Sequence, residues 1–238
     1  MLNQATYWVE IAAAVADVML LLRVVLLKLQ RTYLFITLVA VLAVFFDGVT
    51  LWLGTQSQES QRVFVYSRFL YAFLYPAAVW DVFEEVHSEV GKLRKTAISR
   101  LLSSLLMALL FGLLFTAFAD TNEAGGGEAL TAMLGIVLWA ASSVACVAFL
   151  WTLHRAIRAQ KIPLPNNTFV WLVFFELLLL AEIAGCIFAI VAPLINANIA
   201  NGVDVVVNVY GIAITLWCVW RLRGTASGVP SAPEKASL

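Results

Sequence analysis

Charged side chains are scarce in this sequence, 13% of 238 residues against 62% hydrophobic, whereas soluble domains are about a quarter charged. That excludes a water-soluble globule. The polar connections between apolar runs are too short to build a basic patch, so a nucleic-acid partner is excluded as well. Cysteine is limited to Cys146, Cys186 and Cys218, each inside an apolar stretch, with no CxxC or Cys/His spacing. They read as small core residues, and no cofactor is expected. The histidines are two, His87 and His154, and Glu84 with His87 makes a single ExxH step. A di-metal site needs that step repeated on another helix, so no metal is expected.

What is present is a series of apolar stretches. A helix needs about 20 apolar residues to cross the hydrocarbon. Seven stretches qualify: Tyr7 to Leu29, Tyr33 to Gly54, Val63 to Val82, Leu101 to Ala119, Ala129 to Leu153, Phe169 to Leu194 and Val203 to Trp220. The expected fold is an all-α membrane protein, a seven-transmembrane-helix bundle over residues 1–223, with a disordered cytoplasmic tail over 224–238. The first stretch carries Glu10 and Asp17 and follows no basic segment, so it reads as a span and not as a cleaved leader. A polar break at Asn196, Asn198, Asn201 and Gly202 reads as a turn.

Orientation follows from Lys and Arg, which stay cytoplasmic. They gather at Lys28 and Arg31, at Lys92 to Arg100, at Arg155 to Lys161, and at Arg221 and Arg223. On the opposite side only Arg62 breaks the pattern. The N-terminus is therefore expected to be extracytoplasmic and the C-terminus cytoplasmic, in a bacterial-type inner membrane. Trp8 and Trp52 fall at outer ends, Trp80, Trp151, Trp171, Trp217 and Trp220 near inner ends, and Trp139 lies deep. The third helix is expected to run on into the cytoplasm past Asp81. Rhodopsins and G-protein-coupled receptors share this topology, but Val203 to Trp220 holds no lysine for a retinal Schiff base. Trp80-Asp81-Val82-Phe83 lacks the receptor signature of helix three.

Ionisable residues inside spans are costly and mark candidate sites. At 1.5 Å per residue, Glu10, Asp47 and Arg68 lie roughly 5, 10 and 8 Å below the outer ends of their helices, which predicts one charge layer. Asp17 and Glu182 come out near the bilayer centre with no base at their level, and they are the expected proton or cation site. Arg23 and Glu176, each roughly 10 Å from the inner surface, are expected to pair. Arg68, Tyr71 and Tyr75 share one face by their spacing of three and four. With Tyr66 and Phe73 they suggest an aromatic wall that suits a cationic or apolar ligand. Asn208 and Tyr210 add polar contacts from the last span, and Pro76 is positioned to kink the third.

No motif identifies a reaction. The expected function is an intramembrane proton, cation or small-molecule site serving transport or sensing. The alternative is a non-catalytic accessory subunit held by a membrane-protein partner or in a homo-oligomer. A third class, an intramembrane lipid hydrolase, rests only on the hydroxyls of Ser142 and Ser143.

Overall fold

The structure, a computed structural model, describes residues 2–54, 57–87, 127–162, 164–195 and 197–224, together with 99, 102–103, 105–106 and 110. Among the described residues every regular element is helical. In chain order these are α1 (Leu2–Leu26), a 3-10 turn (Leu29–Arg31), α2 (Leu34–Leu53), α3 (Gln58–His87), α4 (Gly127–Gln160), α5 (Asn166–Ile195) and α6 (Ala197–Arg221). The expected fourth span, Leu101 to Ala119, lies largely outside the described residues, as does the expected tail. Of that span, Leu102, Leu106 and Leu110 present an exposed apolar face, and Leu105 packs against the core.

Among the described residues four helices are long and apolar enough to cross a membrane: 34–53, 58–86, 134–160 and 166–187, with a shorter apolar stretch at Val205–Arg221. α1 is set apart from these by Glu10, Asp17 and Arg23 within its 25 residues. The chain has the helix lengths and composition of an integral membrane protein. Several helices outrun the expected spans. α3 continues to His87, and α6 begins at Ala197, so Asn198, Asn201 and Gly202 are helical and not a loop. Asn196 lies outside the described residues.

Each described helix packs against the next, and α6 returns to α1, so the six form a closed ring; α3 also touches α5 across it. The buried core runs along one side of each helix, at Ala16, Leu20 and Val24 on α1 and at Ala78, Val79, Val82 and Phe83 on α3. The outer faces are apolar. Trp8, Trp52, Trp151 and Trp220 are all exposed, as interfacial rings should be. Trp171 departs from that expectation: it is fully buried, packed against Tyr33, Phe174 and Phe175.

Two contacts fix α3 against α4. Pro76 sits inside α3, and because it has no N–H the carbonyl of Ala72, four residues earlier, loses its helical donor. Ser142 on α4 supplies the replacement, its Oγ donating to the Ala72 carbonyl at 2.7 Å. Its neighbour Ser143 donates to Trp139 O at 2.9 Å within its own helix. Both hydroxyls are thus occupied in backbone bonding. Nearby, a Cβ added at Gly135 would come within 2.8 Å of the Phe69 ring, so glycine permits this close helix approach. Ser142→Ala is expected to cost about 1 kcal/mol by leaving a buried carbonyl unpaired. In Pro76→Ala, where the N–H returns, the same change should cost much less. A double-mutant cycle on thermal unfolding in detergent measures the coupling.

Helix ends on the Arg31 and Arg221 side are closed by side chains of other helices. Asp81 of α3 accepts from the Phe35 and Ile36 N–H groups at 2.6 and 3.1 Å, capping α2, whose own N-cap residue Tyr33 supplies no side-chain bond. Tyr33 instead donates to Glu85, which also accepts from Thr168 at 2.6 Å. At the last turn of α6, Asn166 donates to Arg221 O at 3.1 Å, Arg23 to Leu222 O at 2.8 Å and Asn167 to Arg223 O at 2.8 Å. These satisfy carbonyls that a helix C-terminus leaves without partners.

Candidate functional site: an acidic cavity inside the ring

Small residues leave space at the middle of the ring. Ala13, Ala16, Ala40, Ala43, Ala181 and Gly211 face one another where longer side chains would have met, and a cavity of about 250 Å³ results. Trp171, Phe174 and Phe175 close it on the α5 side, and Tyr71 and Tyr75 on the α3 side. The tyrosine rings stack with centroids 5.3 Å apart and planes 21° from parallel. Phe46 meets Tyr71 edge-on.

Three carboxyl groups, Asp17, Asp47 and Glu182, line this cavity with one base, Arg68. Asp17 comes from α1 and Asp47 from the neighbouring α2, and Asp47 Oδ2 is buried without a hydrogen-bond partner among the described residues. On the facing side Arg68 Nη1 stands 3.6 Å from Glu182 Oε2, and Tyr75 donates to Glu182 Oε1 at 3.3 Å. The guanidinium is held between two rings, 4.1 Å from the Phe64 centroid and 3.9 Å from that of Trp139. Such stacking offsets part of the cost of removing a cation from water.

The depths inferred from sequence therefore need correction. Asp17 and Glu182 do have a base at their level, because an arginine side chain spans several ångströms and carries its charge away from its own Cα. Arg68 forms its ion pair with Glu182. Glu10 does not line the cavity. The expected Arg23 and Glu176 pair is also overturned. Arg23 is drawn to the carbonyl end of α6, where the helix dipole favours a cation, and Glu176 pairs with His154 Nδ1 at 3.2 Å. Tyr66 and Phe73 point outward and are no part of the wall.

Asp17, Glu182, Arg68, Tyr71 and Tyr75, singled out from sequence, all line the one cavity, and Asn208 joins them from α6. Sequence reasoning missed Trp171, Phe174 and Phe175 as lining residues. Their spacing of three and four places them on one face of α5, yet that signal alone does not separate a core stripe from a cavity wall. Among the described residues no three His, Cys, Asp or Glu side chains converge as a metal-holding group.

Compared with known proteins, the sequence matches no family model and no curated protein, and the fold matches no solved structure.

Proposed function

We propose that this chain is a seven-span membrane protein that binds a small ligand at the centre of its helix ring and couples that binding to proton exchange, in transport or sensing. The observation that carries the reading is the cavity itself: three carboxyl groups and a single arginine around about 250 Å³ of space walled by aromatic rings. Carboxyl groups are costly in a membrane interior and are kept there for a task. With Arg68 matched by Glu182, a proton held by Asp17 or Asp47 leaves the empty site one net negative charge. A cation entering replaces that proton, so site occupancy and protonation change together, and a bundle with two packings would shift between them.

The topology belongs to the same proposal: N-terminus extracytoplasmic, C-terminus cytoplasmic, in a bacterial inner membrane. Cys146, Cys186 and Cys218 are buried, so introduced cysteines report with little background. A membrane-impermeant maleimide added to whole cells is expected to label Asn3→Cys and to leave Arg158→Cys unlabelled until the membrane is opened. Labelling of both, or of Arg158→Cys alone, would overturn the orientation.

The binding reading is tested by purifying the protein in lipid nanodiscs and identifying molecules released on denaturation. A small molecule is expected with the wild-type chain, with density against Tyr71, Tyr75 and the carboxyl groups. It is expected to be absent from a folded Asp17→Asn/Glu182→Gln double variant. A dry cavity, or a stoichiometric protein partner in place of a small molecule, would reject the proposal, the second favouring an accessory subunit.

A further inference from the structure

The membrane-facing side of the ring carries a second depression, an open groove between α5 and α6. Leu180, Ala184, Val203, Val206 and Tyr210 form its sides, and Gly202 lies at one end. Its lining is almost wholly apolar. Two residues, Ala181 and Val207, line both the groove and the acidic cavity. One small and one medium side chain thus stand between a pocket rich in carboxyl groups and a groove open on the outer face of the ring. The contact there is loose: a Cβ at Gly185 would meet only Val207 Cγ1, at 3.7 Å.

Resting on the ligand-binding reading above, we infer that the ligand is a cationic amphiphile, an ammonium head with a single hydrocarbon chain, seated with its head in the cavity and its chain in the α5–α6 groove. Charge argues for the head. Arg68 is matched by Glu182, which leaves the Asp17 and Asp47 pair to face a positive ligand. The wall argues for an organic ammonium over a bare metal ion, since stacked Tyr71 and Tyr75 present ring faces that attract alkylated ammonium groups. The described carboxyl groups also do not converge as metal ligands do. Continuity argues for the chain. A hydrocarbon tail leaving the cavity past Ala181 meets the groove directly and enters it from the bilayer without crossing water. From Val207 to Gly202 the groove extends about 7.5 Å along α6.

The test measures binding of tetramethylammonium, hexyltrimethylammonium and decyltrimethylammonium to the full chain in phosphatidylglycerol nanodiscs, with protein-free nanodiscs subtracted. Affinity, referred to the free aqueous concentration, is expected to rise about fourfold per methylene over the first several carbons. Gly202→Leu, where an added side chain starts in open space, is expected to leave tetramethylammonium binding unchanged and to remove most of the gain of the decyl over the hexyl compound. Tyr75→Leu is expected to weaken all three by tenfold or more. If tetramethylammonium binds with no dependence on chain length, or Gly202→Leu leaves the series unchanged, the groove assignment is wrong while the central site stands. If none of the three binds, the amphiphile is rejected, and the nanodisc release experiment decides separately whether the cavity holds anything else.

Discussion

Glu182→Ala is expected to be the most damaging single change within the ring, costing about 3–5 kcal/mol. The carboxylate holds the Arg68 guanidinium at 3.6 Å and accepts from Tyr75 at 3.3 Å, with the two charged side chains 16% and 22% exposed. Removing it takes away the one carboxylate in ion-pair contact with the guanidinium, which stays stacked between the Phe64 and Trp139 rings. Two further variants separate this cause from lost packing. Glu182→Gln keeps the volume and a hydrogen-bond acceptor for Tyr75 but not the charge, and should retain part of the stability. Arg68→Leu/Glu182→Leu removes both charges and should recover most of it, because replacing a buried ion pair by apolar side chains is often near neutral. Thermal unfolding in one detergent ranks the set. If the double variant is as unstable as Glu182→Ala, the ion pair is not the reason.

The second large effect is expected at Asp81. This carboxylate receives two backbone N–H groups at the start of α2, where the positive end of the helix dipole adds to the attraction. Asp81→Ala strands both donors and is expected to cost about 2 kcal/mol. Asp81→Asn keeps an acceptor oxygen without the charge and should lose about half as much. Hydrogen exchange at Phe35 and Ile36 should rise in Asp81→Ala while amides at the middle of α2 stay protected. Uniform loss of protection along α2 would mean that Asp81 supports the whole helix and not its first turn.

Composition was enough to read a helical membrane protein here, since 62% hydrophobic residues in long runs admit little else. Spacing was enough to place Arg68, Tyr71 and Tyr75 on one face. Depth was the quantity that failed. It was counted from Cα positions, and Arg68 and Arg23 carry their charges away from theirs, the first to Glu182 and the second to a helix terminus. The role of Ser142 was legible in principle, because Pro76 obliges some donor to reach the Ala72 carbonyl. Which helix would supply it depends on the ring order, and nothing local in sequence records that. The continuation of the third helix past Asp81 was legible, and the helix does reach His87. The use of Asp81 as the cap of a different helix exists only in three dimensions.

The bond from Arg23 to the Leu222 carbonyl joins residues 199 apart in the chain, and it sets a limit on how the protein is made. Among the described helices every other ring neighbour is the next in chain order, so α1 to α5 can pack in turn as synthesis proceeds. α1 and α6 are the exception. Until α6 has been made, Arg23 waits beside the lipid without the carbonyl it is built to meet, and Asp17 faces an unfinished wall. Closure therefore waits for α6, and a chain halted before it would present the assembly machinery of the cell with an open ring in which Asp17 and Arg23 are still uncovered.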